Sequence, residues 1–252
     1  MKEETMDKLA TIILAAGQGK RMQRKDIPKV LNTVLGKPMV QYAVELALAV
    51  GSEKVVVVIG HQGEKIQKAL ADFPVDFVWQ RERLGTGHAV LQAASVLENF
   101  EGNVLVLYGD VPLLTQKTIQ HLLKIHETSG ADLTMLTTDL DDPAGYGRII
   151  RHENGKIEAI VEDRDASPDQ KAIKEINPGI YVFKKKPLFE FLPKLSNRNT
   201  QGEYYLTDLV GLFQKNGYSI EPYKTPDAWE ILGVNTAEHL KEMEKILSER
   251  NQ

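Results

Sequence analysis

The sequence predicts an α/β fold in which a mostly parallel central sheet is covered by helices on both faces, with a small antiparallel excursion over about residues 140–205. Two observations carry this expectation. Short apolar runs alternate with helical patterns through the first half, the order that parallel strands joined by helical crossovers require. The run V-V-V-V-I at residues 55–59 is β-branched and apolar on both sides of the pleat, as a strand buried on both faces must be.

In chain order, residues 9–14 form the first strand, and Pro38, a residue tolerated in a first helical turn, opens a helix over 39–50. Strands follow at 55–59, 75–80 and 104–108, with helices at 63–71 and 87–97 between them. A helix over 116–128 precedes a strand at 133–137. The second half changes character: 148–151 and 156–161, joined by H-E-N-G, read as an antiparallel hairpin with a glycine turn. A strand at 180–183, a helix at 206–215 and a polar surface helix at 236–250 complete the pattern. No low-complexity linker or internal repeat interrupts it, so one domain over 1–252 is expected.

A net charge of −4 provides no bulk attraction to nucleic acid or anionic lipid, so any bound anion must be held locally. The absence of cysteine excludes disulfides, thiolate metal sites and a cysteine nucleophile. The charged N-terminus lacks the apolar core of a signal peptide, and no apolar run approaches the ~20 residues of a membrane span. A cytoplasmic location, with no nucleic-acid or membrane partner, is expected.

Local anion binding has an evident candidate in L-A-A-G-Q-G-K-R-M-Q-R-K-D-I-P-K, residues 14–29, at the end of the first strand. Ligands of parallel sheets bind beyond the carboxyl ends of the strands. Gly17 and Gly19 let backbone N–H groups approach an anion, and Lys20, Arg21, Arg24, Lys25 and Lys29 supply positive charge. Met22 stands where a dinucleotide fingerprint needs its third glycine, and no G-x-x-x-x-G-K-[ST] pattern occurs. A surface turn with solvated cations is the alternative for this loop taken alone.

The stretch resembles the signature L-x-A-G-x-G-x-R-M…P-K of the sugar-nucleotide pyrophosphorylases. Further blocks follow: L-G-T-G-H-A (84–89), Y-G-D-V-P-L (108–113), D-D-P-A-G-Y-G-R-I (141–149), V-E-D-R-D-A (161–166), E-I-N-P-G-I (175–180), Q-G-E-Y-Y-L-T-D (201–208) and G-V-N (233–235). Their order is that of the uridylyltransferase domain in the bifunctional N-acetylglucosamine-1-phosphate uridylyltransferase/glucosamine-1-phosphate acetyltransferase group. The resemblance spans nearly the whole chain. It implies a Rossmann-like sheet of the nucleotide-diphospho-sugar transferase type and a nucleotidyltransferase domain over residues 1–252; bifunctional members add a left-handed β-helix of hexapeptide repeats, and with no such repeat in the sequence no C-terminal β-helix is expected.

The reaction it implies joins UTP to a sugar 1-phosphate, N-acetylglucosamine 1-phosphate first, with Mg²⁺ as cofactor and release of pyrophosphate. A phosphomonoester, with its second pKa near ~6, is already ionised, so no general base is required. Asp110 ends the apolar run V-L-V-L-Y behind a flexible Gly109, which projects its carboxylate into the crevice; the resemblance adds Asn235 as second metal ligand. Each could instead cap a helix. Arg21 and Lys29 match the cations on the triphosphate and the transferring phosphate.

Leu14, Ala15, Ala16, Gly17, Gln80, Gly85, Thr86, Tyr108 and Gly109 belong to the expected nucleotide side, where the Gln80 amide matches the alternating donor–acceptor edge of uracil. Gln80 could also serve as an ordinary loop cap, and Thr86 could start the helix that follows. Gly147, Glu162 and Asn177 are implied on the sugar; a salt bridge with Arg164 is the rival role for Glu162. Lys20 replaces the threonine common at its position. Pro178 stands where threonine or serine is usual, removing a hydroxyl and a backbone N–H, and this opens the sugar identity to N-acetylgalactosamine or glucose 1-phosphate. Tyr204 and Tyr205 are either buried tyrosines or a sugar platform. His61 and His88 are read as structural, Trp79 and Trp229 as core. The rival class is a nucleotide-sugar-binding regulatory module without turnover. Oligomeric state is left open.

Overall fold

Residues 8–17, 27–234 and 237–250 are described by the structure, a computed structural model. Its strands are β1 (Leu9–Leu14), β2 (Thr33–Val34), β3 (Lys37–Pro38), β4 (Lys54–Ile59), β5 (Asp76–Trp79), β6 (Asn103–Tyr108), β7 (Leu133–Asp139), β8 (Gly147–Arg151), β9 (Ile157–Val161), β10 (Glu175–Asn177), β11 (Tyr181–Lys184) and β12 (Ile220–Lys224). Its helices are α1 (Met39–Ala49), α2 (Gly63–Ala69), α3 (Thr86–Leu91), α4 (Gln116–Ser129), α5 (Pro168–Lys171), α6 (Lys185–Phe191), α7 (Asp208–Lys215) and α8 (Ala237–Arg250).

The sheet runs β5-β4-β1-β6-β11-β7-β10-β8-β9, with β12 on the other side of β7. Strands β5, β4, β1 and β6 are parallel, as the alternating pattern requires. Side chains alternate between two cores. Ile12, Val56, Val58, Val104 and Val106 face a core shared with Val90 of α3, Leu188 of α6 and Phe213 of α7. Ile13, Val55, Val57, Leu105 and Leu107 face the other, with Val44 of α1, Ile66 of α2 and Leu122 of α4. Burial on both faces explains why these strands carry almost no polar side chain.

The second half departs from the simple parallel plan. Strand β11 inserts antiparallel between β6 and β7, pairing Tyr181 with Val106 on one side and Met135 on the other. Strand β10 runs along the same edge of β7, pairing Ile176 with Thr138, and carries the β8–β9 hairpin outward. Between β10 and β11 the chain bends at Pro178-Gly179, Gly179 lying at φ +87°. A proline is tolerated there because the bend interrupts the ladder. Strand β12 pairs parallel with β7 through a segment containing Pro222 and two charges, Glu221 and Lys224, so its sequence lacks a strand's apolar alternation. Pro38 lies in β3 and precedes α1 rather than lying inside it. The helix expected over 87–97 ends at Leu91, after which Ala93 and Ala94 bond to Val90 and Leu91 three residues back in tighter turns. Helix α8 packs on a third apolar cluster, in which Val34, Met39, Leu113, Val234 and Met243 are buried. Among the described residues no helix is long and apolar enough to cross a membrane.

A methyl group added at Gly179 would lie 2.4 Å from Cε2 of Tyr108, and φ there is already in the left-handed region. Gly179→Ala is therefore expected to lower the unfolding free energy by about 2–4 kcal/mol. Urea denaturation measures it, and a loss below about 0.5 kcal/mol would show that the bend is not held against the tyrosine ring.

Candidate nucleotide site

Four parallel strands end on one edge of the sheet, and the chain segments leaving them build the candidate site. After β1, Leu14, Ala15 and Ala16 are buried and Gly17 is exposed. The Ala15 N–H donates to the Val58 carbonyl at 2.9 Å and the Gly109 N–H to the Leu14 carbonyl at 3.0 Å, so the exits of β4, β1 and β6 remain stitched together. A side chain on Gly109 would press on Val30 and Val40 at 3.3–3.4 Å. Small residues here keep the backbone close to whatever enters.

Asp110 follows Gly109, and its carboxylate is paired with the Lys29 ammonium, bringing together residues 81 positions apart. Both side chains are mostly covered, yet the Asp110 side chain keeps 21% of its exposure. The Asp110 carbonyl accepts from the Val234 N–H at 3.0 Å, which binds the described end of G-V-N to the aspartate turn. Burial pushes the ionisation of Tyr146 up, opposed by its hydrogen bond to the Gly233 backbone and reinforced by the nearby Asp110 charge. Arg21 and Asn235 lie outside the described residues, as do Gly19, Lys20, Met22, Arg24 and Lys25.

The nucleotide-side loop after β5 is held by its own amides. The Gln80 N–H extends the β4–β5 pairing to the Ile59 carbonyl at 2.8 Å, while its Nε2 reaches the Gly85 carbonyl at 2.9 Å and His88 Nδ1 at 3.1 Å. His88 also contacts Gln92, as expected of a structural histidine. Gly85, at φ +107°, lies where a Cβ would be 2.6 Å from the Tyr204 carbonyl oxygen. The segment is laced to the Q-G-E-Y-Y-L-T-D block: Tyr204 N–H to Leu84 O at 2.7 Å, Gly87 N–H to Tyr204 O at 2.8 Å and Leu206 N–H to Thr86 Oγ1 at 2.9 Å. Tyr204 thus contributes backbone to this loop, and Tyr205 is buried with its hydroxyl accepting from Gln201.

Gly147, Glu162 and Asn177 come together at the base of the excursion. Asn177 pairs with Gly147 across β10 and β8, and a Cβ on Gly147 would lie 3.7 Å from Glu162 Oε1. Glu162 accepts from the Thr207 hydroxyl at 2.9 Å, and no ion pair joins it to Arg164. Burial pushes the Glu162 carboxyl up, opposed by the Thr207 hydrogen bond and reinforced by Asp208, Asp165 and Asp163. Tyr108, hydrogen-bonded with Thr86, has its ionisation pushed well up by burial and by the Glu162 and Asp110 charges. It therefore touches the nucleotide-side threonine while lying in the field of both carboxylates.

Sequence reasoning missed several members of this constellation. Thr207 lay inside a quoted block, but only folding shows its hydroxyl on Glu162. Arg148, almost wholly buried, donates to the Tyr146 carbonyl and to Asp163 at 3.0 Å, fixing the excursion's base. Trp229, read as core, is instead 44% exposed beside the turn before Leu232; Trp79 is half-buried.

A largely parallel sheet that gathers an ion-paired aspartate and glycine-lined loops at its strand ends has the build of a nucleotide-handling α/β protein. The sequence model of the MobA-like NTP transferase domain matches residues 11–204, and the chain belongs to this family. Among individual relatives, it is 49% identical over 245 residues to the "Bifunctional protein GlmU" of Geobacillus sp. (strain WCH70), covering 97% of this chain and 53% of that one. The protein of the same name from Bacillus mycoides (strain KBAB4) is 49% identical over 239 residues, covering 95% and 52%. The chain thus spans about half the length of the relatives it matches. The fold is also similar to that of UDP-glucose pyrophosphorylase solved with UDP-glucose, with TM-score 0.74 and 20% identity over 96% of this chain and 99% of that one.

Asp208 begins α7 beside this cluster, and its pKa is pushed up to about 6 by burial and by the Asp165 charge. The folded chain keeps this proton up to about pH 6, whereas the unfolded one releases it near pH 4 (about 3.9 for a free aspartate). Stability therefore declines as pH rises through that window. Asp208→Asn is expected to melt higher than the parent protein above pH 6, with the difference gone below about pH 4. Thermal melts from pH 3.5 to 8 test this, and a gain that persists unchanged at low pH would assign it to something other than the charge.

Proposed function

We propose that this chain catalyses uridylyl transfer from UTP to N-acetylglucosamine 1-phosphate, forming UDP-N-acetylglucosamine and pyrophosphate. The observation that carries the reading is the Lys29–Asp110 pair at the end of β6, with the Val234 amide bound to the same aspartate turn. Membership of an NTP transferase family and the name of the half-matching relatives support it.

An oxygen of the sugar phosphate attacks the α-phosphorus of UTP; the new P–O bond forms as the bond to the bridging oxygen breaks, and the electron pair leaves on pyrophosphate. The nucleophile is already an anion, so the chain's work is positioning and charge neutralisation. Lys29 is placed to exchange its contact with Asp110 for a phosphate oxygen. Asp110 suits Mg²⁺, because a hard carboxylate oxygen at a strand end leaves the remaining coordination positions to phosphate and water. Such an ion would neutralise the triphosphate and polarise the reacting phosphorus. Asn235 and Arg21 are proposed as the second ligand and a second phosphate cation. Leu14, Ala15, Ala16, Gly17 and Gly109 form the backbone bed, and Gln80, Gly85, Thr86 and Tyr108 form the uracil side. On the sugar, Gly147 would contribute backbone, Glu162 accept from a hydroxyl and Asn177 offer its amide. A cytoplasmic site of action accords with these substrates.

The test is a pyrophosphate-release assay with UTP, Mg²⁺ and a panel of N-acetylglucosamine, N-acetylgalactosamine and glucose 1-phosphates, with CTP as nucleotide control. Turnover should be fastest for the first pair. Asp110→Ala is expected to cut kcat by about 10³-fold or more with an unchanged circular dichroism spectrum. Undiminished Mg²⁺-dependent turnover in that variant would remove Asp110 from its role.

A further inference from the structure

We infer that Tyr181 is a positioning residue for the sugar phosphate, its buried hydroxyl fixing the Asn177 side chain. The inference rests on the reading of Asn177 as a sugar contact. A primary amide has two N–H donors and an oxygen with two lone pairs, and left alone it can present either end to a ligand. Asn177 is not left alone. Its Oδ1 accepts from the Gly179 N–H at 3.1 Å, and its Nδ2 donates to the Tyr181 hydroxyl oxygen at 2.7 Å. A backbone N–H can only donate, so the oxygen must face Gly179 and the nitrogen Tyr181. One N–H and one lone pair remain for a ligand, with their directions decided before it arrives.

The anchor itself is rigid. Tyr181 is 1% exposed and opens β11, the strand hydrogen-bonded on both sides, to β6 and β7. Its ring packs at 5.5 Å from that of Phe183. The Pro178-Gly179 bend brings the side chains of Asn177 and Tyr181, four residues apart, onto one another. Burial, reinforced by Tyr108 and Glu162, pushes the ionisation of the Tyr181 hydroxyl well above its ordinary range, against the Asn177 hydrogen bond. Tyr108 in turn is bonded to Thr86. Two adjoining tyrosines therefore stand between the proposed uracil side and the proposed sugar side, and only Tyr181 holds a sugar contact directly.

Tyr181→Phe removes one oxygen and keeps the ring that fills the core. The expected result is a rise of about tenfold in the KM for N-acetylglucosamine 1-phosphate, with the KM for UTP changed by less than about twofold. The melting temperature should fall by no more than about 8 °C. In a double-mutant cycle, Asn177→Ala with Tyr181→Phe should be no worse than Asn177→Ala alone, because Tyr181 acts through the amide. Additive losses, an equal rise in both KM values or an unchanged sugar KM would each overturn the positioning role while leaving the proposed function standing. A parent protein that releases no pyrophosphate with any sugar 1-phosphate would overturn the proposed function, and this inference with it.

Discussion

Every residue of β1 is buried, and that constraint organises the molecule. A strand with no solvated face cannot present chemistry along its length, so chemistry is displaced to its end. Strands β4 and β6, packed against it in parallel register, are buried likewise except for Lys54 at the start of β4 and the half-buried Tyr108 at the end of β6. Their carboxyl ends emerge together, and the bonds of Ala15 to Val58 and of Gly109 to Leu14 carry the backbone pairing just past the strand ends. Small residues at these exits, Ala15, Ala16, Gly17 and Gly109, keep bulky side chains away from the edge where ligands of parallel sheets bind. The apolar interior and the polar edge are thus consequences of one pattern of burial.

Charge is handled differently on the two sides of this edge. At the β6 exit a carboxylate meets an ammonium, and each offsets the desolvation of the other. Around Glu162 the arrangement is lopsided: Asp163, Asp165 and Asp208 crowd one region, and the structure relieves it with Thr207 on Glu162 and Arg148 on Asp163. Burial and this crowding leave the Glu162 and Asp208 carboxyls resisting ionisation.

Much of the fold was legible because burial on both faces writes itself into composition: L-A-T-I-I-L and V-V-V-V-I allow few other readings. What escaped was non-local. Nothing in I-Y-V-F announces a strand inserted antiparallel between β6 and β7, since insertion is decided by a partner some 75 residues away in the register Tyr181↔Val106. Strand β12 was invisible because an edge strand tolerates Pro222 and charges that a central strand would reject. In the candidate site the blocks pointed to Lys29, Asp110, Glu162 and Asn177, but not to the groups that hold them. The Thr207 contact exists only once its block, 45 residues further along the chain, meets Glu162, and the Tyr181–Asn177 contact, though local, depends on the Pro178-Gly179 bend. Trp229 misled because a large aromatic is assigned to the interior on composition alone, whereas here it stands on a surface turn.

The lacing of Leu84–Gly87 to Tyr204–Leu206 has a consequence for how the protein is made. Those bonds span about 120 residues, and those that insert β11 beside β6 span some 75. Contacts of such separation form late, after the loop entropy between them has been overcome. During synthesis, the first two hundred residues leave the ribosome with the Leu84–Gly87 segment still lacking its native partners. This corner of the molecule therefore stays unlaced in a nascent chain until the far half has arrived, and it is among the last parts of the fold to be completed.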